Sequence, residues 1–482
     1  MDEEEEKLHI LVFPFMAQGH VIPMIDTAKI FASRGLKVTV VTTPLNAPLF
    51  SKNLRRSFPS IAVETLEFPA AAAGLPPDCE NFDVSMGFDA VTKFFVAAEM
   101  LQSPFENLLA ETRPDCVLAD WFFPWTTDSA AKFGIPRLVF RGTNFFASCL
   151  SELTRIHQPH KRVGSESDPF PVPGLPGPPV FLSIDQMPVI DRLLGGETFV
   201  GKVFERVAEA ESKSYGTIHN TIYEFEPRYA DLYMKELGRR AWSIGPVSLC
   251  NVGIEDRASR GKESSIDEHS CLRFLNSKKP RSVVYVCFGT LANFSDPQLK
   301  EIAAGLESSG REFVWVVRRE TNRGGGGGGG DDSWLPAGFE ERMEGKGLII
   351  RGWAPQALIL DHVAVGGFVT HCGWNSTLEG ITAGLPMVTW PVTAEQFYNE
   401  KLLTEILGIG IAVVGVKVGS GAVADAVGRM MAEEGEEAAE MRRKAGELGR
   451  IARRAVEEGG SSYGNVSALI GELKRDLRRR GK

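Results

Sequence analysis

At 482 residues the chain is longer than one hydrophobic core organises, so two domains are expected. Its 43% hydrophobic and 24% charged residues are those of an ordinary globular protein, and a net charge of −9 argues against nucleic acid as a partner. Seven scattered cysteines without a CxxC pair exclude a disulfide framework and point to a reduced, cytoplasmic setting.

The chain opens with Met1-Asp2-Glu3-Glu4-Glu5-Glu6-Lys7, the wrong sign for a signal-peptide n-region. The apolar run from Ile10 to Phe15 is too short to span a bilayer, and no later run approaches the required length, so no stable membrane insertion is expected. Leu8 to Phe15 reads as a strand, followed by a loop holding Gly19 and His20. Helical spacing from Ile22 to Ser33 ends at Arg34-Gly35, and Lys37 to Thr42 reads as the next strand. Strand, helix, strand at this spacing is a βαβ unit, hence a parallel sheet. The pattern recurs in strand Asp115 to Ala119, helix Thr126 to Phe133 and strand Arg137 to Phe140. It restarts in strand Ser282 to Phe288, helix Asp296 to Ser308 and strand Phe313 to Val317. Two doubly wound halves follow.

Between these units the composition changes. Pro169 to Pro179 is dense in Pro and Gly and reads as an ordered loop. Val247 to Glu268 is polar and turn-rich, the expected inter-domain linker. Seven consecutive glycines, Gly324 to Gly330, cannot offset their ordering entropy and predict a disordered surface loop. Near the end, Val466, Leu469, Ile470, Leu473 and Leu477 form one apolar stripe of a helix. The basic tail Lys474-Arg475…Arg478-Arg479-Arg480 reads as a solvated terminus. The expected domains are 1–246, a linker with a leading helix over 247–280, a second domain over 281–460 and a final helix over 461–482.

The most informative stretch runs from Trp353 to Gln396 without a single Lys or Arg. Inside it Gly367-Phe368-Val369-Thr370 reads as a strand leading through His371-Cys372-Gly373-Trp374-Asn375-Ser376-Thr377 into a helix. A strand feeding a Gly-containing turn at a helix N-terminus presents backbone N–H groups and the positive end of the helix dipole, an arrangement suited to phosphate. At that turn His371 is the one side chain that could carry positive charge. No Asp-x-Asp occurs in the chain, so the carboxylate pair that usually holds a metal on a nucleotide sugar is missing.

Position by position, this stretch resembles the signature box of the plant secondary-product glycosyltransferases, the UDP-sugar-dependent family 1 enzymes. Phe15-Met16-Ala17-Gln18-Gly19-His20, Ala119-Asp120-Trp121-Phe122-Phe123-Pro124 and Val286-Cys287-Phe288-Gly289-Thr290 extend the resemblance over nearly the whole chain. It implies an α/β protein of the GT-B fold, with two Rossmann-like doubly wound domains facing across a cleft, acting as a monomer and inverting the sugar's anomeric carbon. The last helix would cross back onto the first domain.

By the same resemblance Trp353 would stack on uracil, Ala354 would offer backbone hydrogen bonds to its edge, and Gln356 and Glu379 would bond the ribose hydroxyls. The diphosphate would be met by backbone N–H groups with His371, Asn375, Ser376 and Thr290, with Gly19 and Gly373 in the two loops and Trp374 shaping the sugar pocket. Glu395 and Gln396 would hold the sugar hydroxyls; Gln at that last position goes with glucose in the family and His more often with galactose. UDP-glucose is therefore the expected co-substrate, with no metal and no other cofactor.

Attack by an acceptor hydroxyl needs a base, because a neutral alcohol is a poor nucleophile. His20 matches the family's base in position, and Asp120, ending another strand, would accept its other imidazole N–H. An N-cap for the helix after Pro124 is the competing role for Asp120. The acceptor is expected among aromatic loops of the first half, at Phe15, Phe122, Phe123, Asn144 and Phe145, with Phe94, Phe95 and Phe146 nearby. A hydrophobic hydroxylated acceptor follows: a flavonoid, other phenolic, triterpenoid or steroid. Arg141 stands where relatives commonly have His, and a short Gly419-Ser420-Gly421 link replaces a longer insert. The same chemistry with UDP-galactose, -glucuronate or -xylose, or C-glycosylation, stays open, as does a non-catalytic nucleotide-sugar binder. An NAD-type enzyme is disfavoured because Ala17-Gln18-Gly19-His20 lacks the G-x-G-x-x-G glycines.

Overall fold

The computed structural model describes residues 7–83, 86–193, 198–258, 260–262, 264–266, 268–289, 294–317, 334–413 and 418–479. Thr290, the Gly324–Gly330 run and the acidic residues 1–6 lie outside the described residues. The chain forms two compact units, residues 1–252 with 453–482, and residues 253–452.

The first unit is built on β1 (His9–Phe13), β2 (Lys37–Thr42), β3 (Ile61–Thr65), β4 (Cys116–Asp120) and β5 (Arg137–Arg141). A short antiparallel hairpin, β6 (Phe170–Pro171) with β7 (Phe181–Leu182), stands apart, and β8 (Gly216–His219) and β9 (Ala241–Ser243) complete the main sheet. The order is β3-β2-β1-β4-β5-β8-β9, with every neighbouring pair parallel. Both faces are covered, so β1 and β4 are buried at every position and read as continuous apolar runs. Leu11 and Phe13 face a cluster with Phe94, Phe105 and Phe204; Ile10 and Val12 face the opposite cluster. That second cluster takes in Val466, Leu469 and Leu473 of the last helix, Ser461–Arg479, with Ile470 and Leu477 packed against it. The apolar stripe is thus buried within the first unit.

Residues 247–252 also belong to this unit, six beyond the expected boundary. The reason is polar as well as apolar. Val247 is fully buried, and Asn251 donates to Asp26 Oδ1 at 2.8 Å while accepting from Lys29 Nζ at 2.6 Å, pinning the segment to the helix Gln18–Ser33. That helix begins four residues before the expected Ile22, so His20 sits in its first turn rather than in a loop. Phe94 and Phe95 lie on the helix Phe88–Met100, and Phe145 and Phe146 open the helix Phe145–His157; none of the four is a loop residue.

The second unit carries β10 (Val283–Cys287), β11 (Glu312–Val317), β12 (Gly347–Arg351), β13 (Val365–Thr370), β14 (Met387–Thr389) and β15 (Gly410–Ala412). Its order is β12-β11-β10-β13-β14-β15, again all parallel. In both sheets the chain winds outward from a central strand and then restarts on that strand's other side. The reversals lie between β1 and β4, and between β10 and β13. Open α/β sheets place ligands outside the carboxyl ends of their strands at such a reversal. Among the described residues no helix is long and apolar enough to cross a membrane.

Candidate active site

In the first unit the reversal brings together His20, from the helix after β1, and Asp120, the last residue of β4. His20 Nδ1 lies 2.8 Å from Asp120 Oδ2, with the carboxylate fully buried and the imidazole about a quarter exposed. A carboxylate only accepts, so it keeps the ring proton on Nδ1 and leaves the lone pair on Nε2. Asp120 Oδ1 accepts the N–H of Phe122 at 3.0 Å. The following helix, Trp125–Lys132, has Pro124 at its N-cap and no side-chain cap, so Asp120 does not cap it.

An aromatic box surrounds the imidazole. The Phe122 ring stacks on it at 5.1 Å between centroids, and Phe15 meets it edge-on at 5.6 Å. Phe82, Phe94 and Phe95 pack on Phe15, and Trp121 and Phe204 pack on Phe122. Phe82 and Phe204 escaped the sequence reading, since an isolated aromatic without a motif gives no signal of where it packs; Trp121 entered it only as part of the Ala119–Pro124 motif, with no acceptor role.

Three expected acceptor residues are corrected. Phe123 turns inward and stacks on Phe13 at 4.4 Å, fully buried. Phe145 stacks on His219 at 4.3 Å, inside the core. Asn144 is buried and caps the helix Phe145–His157 by accepting the Ala147 N–H at 2.7 Å. These side chains are committed to packing and capping and present no surface to a ligand. Arg141 is likewise engaged: it pairs with Glu211 at 2.7 Å and lies over the Trp121 ring at 4.7 Å.

In the second unit, Gly289 stands two residues beyond the end of β10 and His371 directly follows β13. Gly289 has φ +71°, and an added Cβ there would lie 2.5 Å from the His371 ring; a Cβ on Gly373 would lie 2.4 Å from its Nε2. The two glycines are therefore required by the imidazole they flank. Burial pushes His371 down to about 4, so it is a neutral hydrogen-bonding group near pH 7 and not the cation the sequence allowed. Its Nδ1 has no partner among the described residues. Folded His371 resists protonation that the unfolded chain accepts near 6.5, so the stability it contributes is present above pH 6.5 and is lost as pH falls towards 4. The full difference is about 3 kcal/mol at most. Melting curves between pH 7.5 and 4 should therefore show a shallower acid decline for His371→Gln than for the parent; parallel declines would contradict a neutral buried imidazole.

Between these residues Cys372 adopts φ +64°, a conformation that is strained for a residue with a side chain. It is held by its N–H to Thr370 Oγ1 at 3.2 Å and by Asn399 Nδ2 donating to its carbonyl at 2.9 Å. The helix Trp374–Ala383 then starts with Gly373 as N-cap and no side-chain cap, Trp374 being buried beneath it. Asn375 and Ser376 stand in its first turn.

Beside this turn Gln356 Nε2 donates to Ser376 Oγ at 3.0 Å and to Glu379 Oε2 at 2.8 Å. Glu379 also pairs with Arg260, which lies outside the cation-free stretch and bears no spacing relation to it. Trp353 is half-buried and clamped by Ser265, which accepts its N–H at 2.8 Å and donates its own N–H to the Trp353 carbonyl at 2.8 Å. The indole Nε1 has no partner among the described residues. Ala354 is buried next to it. Glu395 precedes the helix Gln396–Lys401, and Gln396 Oε1 accepts the N–H groups of Val392 and Thr393 at 2.8 and 2.9 Å. The Gln396 oxygen is thus committed to the loop, which orients its amide donors. Among the described residues no group of three His, Cys, Asp or Glu side chains is placed to hold a metal ion.

Two all-parallel doubly wound sheets, each gathering its polar side chains at the strand-order reversal, define an α/β protein of two Rossmann-like domains, the GT-B fold. Residues 183–443 match the family described as UDP-glucoronosyl and UDP-glucosyl transferase. The chain is similar to a scopoletin glucosyltransferase of Nicotiana tabacum, 51% identical over 97% of this chain and 98% of that protein. It is similar to a UDP-glucose flavonoid 3-O-glucosyltransferase of Fragaria ananassa, also 51% identical, over 97% and 96%. Among solved structures it resembles Glycyrrhiza uralensis UGT73P12 complexed with glycyrrhetinic acid 3-O-monoglucuronide, at TM-score 0.88 and 37% identity over 98% and 97% of the two chains. The chain belongs to the plant family 1 UDP-glycosyltransferases, and it is an enzyme that moves a sugar from a nucleotide-sugar donor to a small molecule.

Proposed function

We propose that this enzyme transfers glucose from UDP-glucose to a hydroxyl of a small hydrophobic acceptor, giving a β-O-glucoside by single displacement. The observation that carries this reading is the 2.8 Å His20–Asp120 pair at the carboxyl edge of a doubly wound sheet, walled by aromatic rings. His20 Nε2 would take the acceptor's proton, with Asp120 stabilising the imidazolium. Phe122 and the half-buried Trp121, backed by the fully buried Phe15 and by Phe204, favour a flat apolar acceptor such as a flavonoid or other phenolic, and a triterpenoid or steroid is the bulkier form of the same chemistry.

For the donor, Trp353 would stack on uracil with Ala354 at its edge, and Gln356 and Glu379 would bond the ribose, Arg260 giving way. Gly19, Thr290, neutral His371, Gly373, Asn375, Ser376 and the helix N-terminus would receive the diphosphate. Trp374, Glu395 and Gln396 would face the hexose. Among the described residues none calls for a metal, and the seven free cysteines suit a reduced, cytoplasmic setting.

The test mixes the full chain with UDP-glucose, -galactose, -glucuronate or -xylose and a panel of phenolic and terpenoid alcohols, reading product by mass and anomeric configuration by NMR. A hexose adduct with β configuration is expected, with turnover unchanged by a chelator. An α product, or turnover that stops with chelator and returns with a divalent cation, would count against the reading.

A further inference from the structure

We propose that Arg137 is a positioning residue for the His20–Asp120 pair, holding the turn from which the carboxylate projects. The proposal rests on the reading of His20 as the base. Arg137 is the first residue of β5 and is 3% exposed. Its guanidinium makes no ion pair among the described residues. One terminal nitrogen donates to Thr127 Oγ1 at 2.9 Å; the other donates to the carbonyl of Asp120 at 2.9 Å and to that of Phe123 at 3.4 Å. Nε has no partner. Burial pulls the group down to about 10 despite the fields of Glu211 and Asp120. A buried cation satisfied by carbonyls is a costly way to brace a turn, since a neutral side chain would avoid the desolvation.

The two carbonyls it binds bracket the functional turn. Asp120 O also accepts the Phe123 N–H at 3.1 Å, closing the turn from Asp120 to Phe123. The Asp120 carboxylate accepts from Phe122 N–H on one oxygen and faces His20 Nδ1 with the other. Main chain and carboxylate are therefore tied at the same residue, the former by the fork of Arg137 and the latter by the imidazole. Rotation of the Asp120 peptide would carry the carboxylate away from His20 and would move the Phe122 ring that stacks on it. The fork reaches Thr127 and both carbonyls at once, which a single ammonium on a flexible stem does not reproduce.

The experiment compares Arg137→Met and Arg137→Lys, each alone and combined with His20→Ala, in the full-length enzyme. Turnover, UDP-glucose affinity and melting temperature are measured. Misplacing a catalytic group by about an ångström costs on the order of 10²-fold, so Arg137→Met should lower kcat by roughly 10- to 100-fold with UDP-glucose Kd unchanged. Arg137→Lys, which keeps a buried cation, should fold well and still lose turnover. In a third variant, Arg137→Ala, millimolar guanidinium should restore part of the lost kcat. In the His20→Ala background the Arg137 substitutions should cost no more than about 2-fold, because the group they position is gone. Full multiplication of the two losses, or undiminished kcat in both single variants, would overturn the positioning role. Near-normal turnover of His20→Ala alone would instead remove the base reading on which it rests.

Discussion

His20→Ala is expected to lose at least 10²-fold in kcat, and up to about 10⁴-fold, while UDP-glucose affinity stays within about 2-fold. The range is the contribution of a positioned general base. The split between kcat and affinity follows from placement, since the imidazole belongs to the first unit and, Gly19 apart, the residues proposed for the nucleotide belong to the second. Asp120→Asn should fall in the same direction by a smaller factor. An amide presents a donor and an acceptor where the carboxylate presents only acceptors, so it no longer enforces the Nδ1–H tautomer or stabilises the imidazolium. Its Oδ1 can still accept from Phe122 N–H, which preserves the turn and keeps the variant folded. Single-turnover and steady-state rates with any acceptor that works will check both. Near-normal turnover of His20→Ala would end the assignment.

Much of this architecture is legible in the sequence. Strand Lys37–Thr42 and helix Asp296–Ser308 have the bounds expected from sequence, because each is framed by strong punctuation: Arg34-Gly35 before the strand, Ser295 and Pro297 at the helix start. The start of the first helix is harder to read, because Gly19 and Pro23 are poor helix formers. Its start is settled by the Ala17 carbonyl, which accepts from His20 and Val21 N–H at 2.9 Å each. The acceptor side was harder. Phe122-Phe123 is a pair of identical neighbours at a turn, and only the fold decides that Phe122 faces His20 while Phe123 enters the core. Asn144 reads as a pocket residue because it follows a strand, yet the same position is where a helix needs its cap. Arg137 and Arg260 left no trace, since each acts on a partner fixed only by tertiary structure.

Three glycines that the sequence treats alike should respond differently to alanine. Gly19 is exposed, and a Cβ there would meet nothing within 4 Å, so packing makes no demand on it. Gly19→Ala should keep or slightly raise the melting temperature, because alanine is the better helix former. Any loss of turnover in that variant therefore reports a ligand approaching the helix start. Gly373 and Gly289 are the opposite case. Each Cβ would enter the His371 ring at 2.4 to 2.5 Å, and at Gly289 the φ of +71° adds backbone strain. The ring has little room to retreat, being buried against the strand it follows. Overpacking of this kind costs about 1–3 kcal/mol, and the displaced imidazole should weaken UDP-glucose binding at least ~10-fold in both variants. His371→Ala combined with Gly373→Ala should recover the lost stability, since the clash is with the ring, while donor affinity stays low. If Gly373→Ala bound UDP-glucose like the parent, the close fit of that ring would have no part in holding the diphosphate.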